Sequence, residues 1–354
     1  MTENAINDIL ISTIETFQKR NRKEQTMEEQ KSITMKDVAR VAGVSVGTVS
    51  RVINKEPGIK ESTLEKVQAA IQELNYIPDV YARGMKKNKT ETIALIIPTV
   101  WHPFFGEFAY HVEVALSKKN YKLLLCNISG PKRELDYLTM LQQNKVDGII
   151  AITYSPIDDY LSSNIPFVSI DRTYENKAIP CVSSDNQAGA ELAADTLIAK
   201  GGRHFAFIGG HNKTINETKK RRLYFEKRIL EAGFPCQVLD LEEPYDDFVD
   251  QVEAFLLKNP QVDAIFTIND FVALDTLAVL EKLGRRVPED VQVIGYDGIQ
   301  LASERSLELS TIRQPLEAMA QEAVACLIDI IEKRERPLQV TLPISYHEGK
   351  TTKN

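Results

Sequence analysis

The sequence predicts an α/β protein in which an all-α helix-turn-helix head is joined by a hinge to a two-lobed α/β body. Three observations carry that expectation. Residues 34–75 hold three short helical patterns separated by turn signals. Beyond Glu91, short apolar runs alternate with amphipathic patterns, the texture of βαβ units in parallel sheets covered on both faces. One stretch of that second region also repeats in form 116 residues later, which implies two similar lobes.

Length and composition set the frame. A chain of 354 residues, 43% apolar and 26% charged, has room for two or three domains and the make-up of an ordinary globular protein. No run of about 18 apolar residues is present, so no membrane-spanning helix is expected. Apolar Ile9-Leu10-Ile11 follows acidic Glu3 and Asp8, and basic residues come only later. An export signal has the reverse order, so the expected compartment is the cytoplasm. Cys126, Cys181, Cys236 and Cys326 stand far apart without a C-x-x-C pair, and read as reduced core thiols.

Charge is uneven. The chain carries −7 overall, yet residues 34–90 hold ten basic and six acidic side chains, whereas residues 91–354 hold 28 basic and 38 acidic. A small basic segment on a large acidic body is the asymmetry of a protein that meets phosphates at one end.

In chain order, residues 1–33 place Ile6, Ile9, Leu10, Ile14 and Phe17 at helical spacing ahead of a mixed-charge run, and are expected to form a poorly ordered extension. The head spans 34–77. Thr34 with Asp37 opens a first helix that stops at Gly43, and Ser45 caps a second that runs to Asn54. Leu64, Val67, Ile71 and Leu74 form the stripe of a third, ended by Pro78. Residues 78–90 form the hinge, and 91–350 the body. Its expected strands are Thr92–Ile97, Lys122–Cys126, Asp147–Ile152, Phe167–Ile170, Phe205–Ile208, Gln237–Leu241, Asp263–Ile268 and Val291–Gly295. Helical patterns such as Phe108–Lys119, Gly189–Lys200 and Val272–Leu283 intervene. The internal echo aligns Val146-Asp147 with Val262-Asp263, each after a helical pattern and before an apolar strand. The first lobe is expected over about 91–185 plus 313–330, and the second over about 186–312 plus 331–350.

The most specific signal is Met35–Asn54. Two helices crossing steeply need a small residue where they touch, which Ala39 supplies, and a turn residue that tolerates positive φ, which Gly43 supplies. The second helix of such a pair lies in the major groove with its N-terminal residues on base edges. Val46, Gly47, Ser50 and Arg51 face outward there, with Thr48 near the start. Arg51 can donate twice to guanine, a contact worth roughly 1–3 kcal/mol of discrimination. Val46 can meet a thymine methyl, and Thr48 suits a phosphate.

This stretch resembles the head of the LacI/GalR family of bacterial repressors. The family pattern D-V-A-x-x-A-G-V-S-x-x-T-V-S-R-V-x-N is complete over Asp37–Asn54, and the likeness extends over about 34–350. The resemblance implies a homodimer on a near-palindromic double-stranded operator and a periplasmic-binding-protein-like sensor that takes a sugar or sugar phosphate. It places Ser45, Val46, Gly47, Thr48, Ser50, Arg51 and Asn54 toward DNA, with Val46 and Gly47 at the two variable base-reading positions. Gly47 offers no side chain, so its position should specify weakly. In the hinge the resemblance matches Met85 to the family's minor-groove leucine wedge. It matches Ala82 to the small residue between paired hinge helices, and Lys86 suits a phosphate.

For the effector the resemblance implies Asp171, Arg221, Asn269 and Asp297 as the hydroxyl-binding set, with Trp101, Phe104 and Gln314 near the pocket. Most of these follow expected strands, where open α/β sheets bind ligands. The family pattern R-x-x-G-F reads Arg221-Arg-Leu-Tyr-Phe225 here, with Tyr224 in place of glycine, so Arg222 stands as an alternative to Arg221. The neighbourhoods of Val168–Arg172 and Val182–Asn186 resemble sucrose- or fructose-type repressors.

No G-x-G-x-x-G, P-loop, H-E-x-x-H or G-x-S-x-G motif occurs, so an enzyme is not expected, nor a cofactor or metal. A sugar receptor without DNA function would share the lobes but has no use for residues 35–54. A second regulatory reading is a global carbon regulator whose co-repressor is a phosphorylated carrier protein.

Overall fold

Thr34 opens the first helix, α1 (Met35–Ala42), through a reciprocal cap: its amide donates to Asp37 Oδ2 at 3.0 Å, and its own side chain accepts from the Asp37 amide. The structure is a computed structural model that describes residues 33–77, 89–128, 131–143, 145–161, 165–174, 177–212, 214, 216–244, 246–302 and 305–354. The expected N-terminal extension lies almost wholly outside these residues, and the hinge positions Ala82, Met85 and Lys86 lie outside them altogether. Gly43, at φ 65°, ends α1. Ser45 Oγ then accepts the Thr48 amide at 3.1 Å to start α2 (Val46–Ile53). The third helix, α3 (Glu61–Glu73), stops short of the expected Pro78. Asn75 turns left-handed at φ 45°, and the Tyr76 amide donates back to Ile71 O at 2.9 Å, which closes the helix without a proline. Val38, Ala39, Val49, Val52, Val67 and Ala70 bury the inner faces together.

Contacts divide the chain at Lys86–Lys87, and the second unit holds the lobes. It runs β1 (Thr92–Ile97), α4 (Pro103–Ser117), β2 (Lys122–Asn127), α5 (Pro131–Gln143), β3 (Gly148–Ala151), β4 (Phe167–Ile170) and β5 (Cys181–Ser184). Then come α6 (Asn186–Ala199), β6 (Phe205–His211), α7 (Lys219–Glu231), β7 (Cys236–Glu242), α8 (Phe248–Lys258), β8 (Ala264–Thr267), α9 (Asp270–Lys282) and β9 (Gln292–Asp297). A ribbon of β10 (Gln300–Ala302) and β11 (Arg305–Ser306) precedes β12 (Thr311–Arg313), α10 (Leu316–Ile331), β13 (Gln339–Leu342) and β14 (Ser345–His347). Helix α4 starts five residues before the expected Phe108 because Pro103 sits at its first turn, where a missing N–H costs nothing.

Two six-stranded sheets result, ordered β13-β5-β4-β3-β1-β2 and β14-β12-β9-β8-β6-β7. Their pairings are parallel except β12 with β14. Each sheet is buried on both faces by its own pair of apolar clusters. That burial is why the strands read as continuous apolar runs.

The internal echo has a physical basis. Asp147 accepts the amides of Thr90 and Glu91 at 2.7 and 2.8 Å, just ahead of β1. Asp263 accepts the amides of Arg203 and His204, both at 2.9 Å, just ahead of β6. Each carboxylate fastens the entry of the first strand of its lobe to the strand paired beside it.

One expected boundary needs correction. The sequence reading places 331–350 whole in the second lobe, but β13 pairs with β5 in the first sheet. Helix α10 lies on the first lobe's core, and Val340 and Leu342 pack into the same cluster, so burying them keeps the chain there until β14. Thr311–Arg313, expected at the border, belongs to the second sheet. The chain therefore crosses between lobes after Ser184, after Arg313 and after Leu342. Among the described residues no helix is long and apolar enough to cross a membrane, and all four cysteines are free.

Candidate functional site

The head and the body each present a site. On the head, Ser45, Val46, Gly47 and Arg51 are exposed, while Thr48, Ser50 and Asn54 are half-buried. Ser45 and Thr48 are tied by a hydroxyl contact of 2.9 Å, and Asn54 Nδ2 lies 3.4 Å from Ser50 Oγ, so α2 presents a pre-set polar ridge. Arg51 Nε rests against Glu56 Oε2 at 3.1 Å, with both side chains about half exposed. A pair of that kind is worth at most about 1 kcal/mol, so Arg51 is readily exchanged to another acceptor.

On the body, a cleft of about 200 Å³ lies between the lobes. Its walls are built by one rule. Apart from Phe104 and Phe105 in the first turn of α4 and Thr218 and Arg221 on the α7 side, the lining residues stand at or within a few residues of the carboxyl ends of strands, as open α/β sheets dictate. Phe104, Asp171, Arg221, Asn269, Asp297 and Gln314 all line it. Trp101 does not: it is 91% exposed, because α4 begins two residues later and turns His102, Phe104 and Phe105 inward instead. Of the two arginines only one lines the cleft. Arg221 is buried in the cleft, whereas Arg222 bonds Asp240 at 2.6 Å in a neighbouring depression. Tyr224 packs on the second lobe's core, away from the cleft.

A continuous polar network runs beneath the cleft floor. Arg221 Nε donates to Asn186 Oδ1 at 2.7 Å, and its Nη1 donates to Ile268 O at 2.8 Å and to Asp297 Oδ1 at 3.4 Å. The guanidinium lies 3.7 Å over the Tyr296 ring. Gln314 Nε2 donates to Asp297 Oδ1 at 2.8 Å, and Ser184 Oγ donates to Gln314 Oε1 at 2.7 Å. Ser184 and Gln314 flank two of the crossings between lobes, so the network joins the cleft to the hinge of the body. Asn269 Oδ1 caps α9 through the Val272 amide at 2.9 Å, which leaves its NH₂ group to face the cleft.

Comparison with known proteins agrees with this geometry. Residues 34–79 match the family model for bacterial regulatory proteins of the lacI family, and residues 194–352 match a periplasmic binding protein-like domain. The sucrose operon repressor of Streptococcus mutans serotype c is 35% identical over 318 residues, 89% of this chain and 98% of that protein. This chain belongs to the LacI family. The ribose operon repressor of Halalkalibacterium halodurans is 37% identical over 303 residues, 85% of this chain and 91% of that LacI-family relative. Among solved structures, a periplasmic binding protein/LacI transcriptional regulator from Alkaliphilus metalliredigens complexed with D-xylulofuranose has a TM-score of 0.66. It is 30% identical, covering 75% of this chain and 100% of that one. The lac repressor dimer bound to operator and the anti-inducer ONPF has a TM-score of 0.80 at 23% identity, over 91% and 99% of the two chains, and shows the shared LacI-family fold.

Sequence reasoning reached Phe105 with Phe104 after the first strand, but missed several walls of this LacI-family cleft: His102, Tyr154, His211, Asn212 and Glu243. The strand-end rule that found Asp171 would have found each of them. His102 packs 4.4 Å from Phe271 on the second lobe, and burial pushes its imidazole down to about 4, so it is neutral. Its Nδ1, like Asp171 Oδ1, is buried with no hydrogen-bond partner among the described residues.

Asp171, at φ 54°, is pushed up to about 7 by burial, against the pull of Arg221. Asp297 is pushed up to about 6 and Asp270 to about 7, again chiefly by burial. A carboxyl raised in the folded state holds a proton that the unfolded chain has lost. Its stabilisation is complete below about pH 4 and is lost as pH rises through 6 to 7. His102 acts in the opposite sense below about 6.5 but is outnumbered by the three carboxyls. The empty protein should therefore melt several degrees lower at pH 8 than at pH 6, and Asp171→Asn should reduce that slope. A melting temperature that rises over this range would contradict the assignment.

Proposed function

We propose that this protein is a sequence-specific repressor of carbohydrate-utilisation genes, acting as a homodimer on a near-palindromic operator under control of a small carbohydrate held in the cleft. One observation carries the reading. Asp171, Arg221, Asn269, Asp297 and Gln314 converge with Phe104 in one cleft, a mix of hydroxyl-gripping groups and an aromatic wall suited to a sugar ring. The family membership supplies the operator side, and the sucrose and ribose operon repressors support the choice of ligand.

In this reading the sugar's hydroxyls engage both lobes, and the Arg221–Asp297–Gln314–Ser184 network passes closure to the crossings. The shifted lobes change the spacing of the hinges, where Ala82, Met85 and Lys86 hold the operator centre. A ligand achieves this only through different affinity for the two states, and 1–3 kcal/mol of coupling gives about 5- to 150-fold in operator affinity. On the head, Arg51 exchanges Glu56 for a guanine edge, Val46 contacts a base, and Thr48, Ser45 and Asn54 position the backbone. Ser50 lies beside them.

Operator titration with the full chain, with and without candidate sugars, tests the proposal. A sugar that binds the protein yet leaves operator affinity unchanged would remove the allosteric half. Adding a phosphorylated carrier protein to the same titration tests the global-regulator alternative. Arg51→Ala should relax preference at one base pair per half-site at a cost of about 1–3 kcal/mol. An unaltered base-preference profile would show that Arg51 reads no base.

A further inference from the structure

We infer that the cleft takes a neutral, unphosphorylated polyhydroxy ligand and discriminates against the phosphorylated form of the same sugar. The inference rests on reading the cleft as the effector site, and concerns the charge of what enters it.

Among the described residues, three carboxyl groups line the cleft, Asp171, Asp297 and Glu243, against one cation, Arg221. That cation is already committed. Its Nε and Nη1 bond Asn186, Ile268 O and Asp297, and its flat face rests on Tyr296. Of the two histidines of the lining, His102 is held neutral by burial, and His211 turns its Nδ1 to Asp240 Oδ1 at 3.1 Å. Three cations just outside are occupied as well. Arg222 bonds Asp240 at 2.6 Å, Lys220 bonds Glu217 at 2.6 Å, and buried Arg172 turns away to Thr153 and Asp158.

Phosphate can also be held by helix-end amides, and these are largely used. Helix α4 opens on Pro103, which has no N–H. The Val272 amide of α9 is taken by Asn269, and the Lys219 amide of α7 by Asn216 Oδ1 at 3.3 Å. A phosphoryl dianion would thus enter a partly dry cavity facing carboxyl groups, with no uncommitted cation among the described lining residues to replace its water. Sugar hydroxyls meet the reverse situation. Each can donate to a carboxyl oxygen or accept from a carboxyl that holds its proton, and Asp171 Oδ1 is buried without a partner among the described residues.

The test is calorimetric titration and thermal shift of the full-length protein with D-ribose, D-fructose, D-glucose and sucrose, and with ribose 5-phosphate, fructose 6-phosphate and glucose 6-phosphate. At least one unphosphorylated sugar should bind, and its phosphate should bind 100-fold or more weakly. A phosphate that binds as tightly as its parent sugar overturns the inference while leaving a sugar site in place. Binding by no member of either set removes the effector-site reading, and the inference falls with it. Glu243→Gln separates charge from bulk: it should narrow the sugar-to-phosphate ratio at least fivefold, and an unchanged ratio would overturn the electrostatic basis.

Discussion

Arg221→Met should abolish control by the effector, preserve operator binding, and lower the melting temperature of the body by roughly 6–20 °C. The side chain is 4% exposed and sits between Asn186, Ile268 O and Asp297. Removing one partner of a buried pair strands the other, at a cost of about 3–5 kcal/mol. In a unit of this size each kcal/mol is worth roughly 2–4 °C. Loss of stability alone does not identify a binding role, so a companion variant is needed. Arg221→Met with Asp297→Leu removes both charges and should recover part of the melting temperature, but none of the response to sugar. Titration of operator with and without sugar, beside a thermal melt of each variant, reads both effects. A double variant that still responds to sugar would remove Arg221 and Asp297 from the effector set.

Val49→Asp should reduce operator affinity to the nonspecific level and leave the body's melting temperature and sugar binding unchanged. Val49 is fully buried where α1, α2 and α3 meet. The head is a separate unit with a small core, and a fold of some 45 residues has only about 2–7 kcal/mol of stability to lose. An unpaired carboxylate in that core exceeds this margin. Measured by operator titration and by a two-transition thermal melt, the head transition should vanish while the body transition stays. Retained sequence-specific binding would show that the three-helix core does not organise the reading helix.

The two expectations draw on different depths of information. The head was legible almost residue by residue because its determinants are local. Thr34 with Asp37, Gly43 and Ser45 act on amides within three or four positions, and their effect does not depend on the rest of the chain. The limit of that logic appears at α3, where Asn75 rather than Pro78 ends the helix. The strands of the body were legible for a related reason: burial on both faces demands unbroken apolar runs. The echoed Asp147 and Asp263 betrayed the repeat because each lobe needs the same carboxylate to anchor its first strand.

The cleft was legible only in part. Asp171, Asn269 and Asp297 follow expected strands, so a rule about strand ends reached them, whereas Gln314 came only with the family resemblance. Trp101 failed because which of several consecutive residues faces inward depends on where α4 begins and on which face of it packs against the sheet. Between Arg221 and Arg222 the sequence had no means to choose. The two differ by one position on α7, and only the packing of that helix on the second sheet turns one toward Asp297 and the other toward Asp240.

By itself, then, the sequence determined the local folds, the order of elements and the kind of chemistry present, since helix caps, apolar periodicity and residue type act over a few positions. Tertiary structure decided lobe membership for β13, the inward arginine and the shared network under the cleft. Those depend on which surfaces lose water together, and that is a property of residues far apart in the chain.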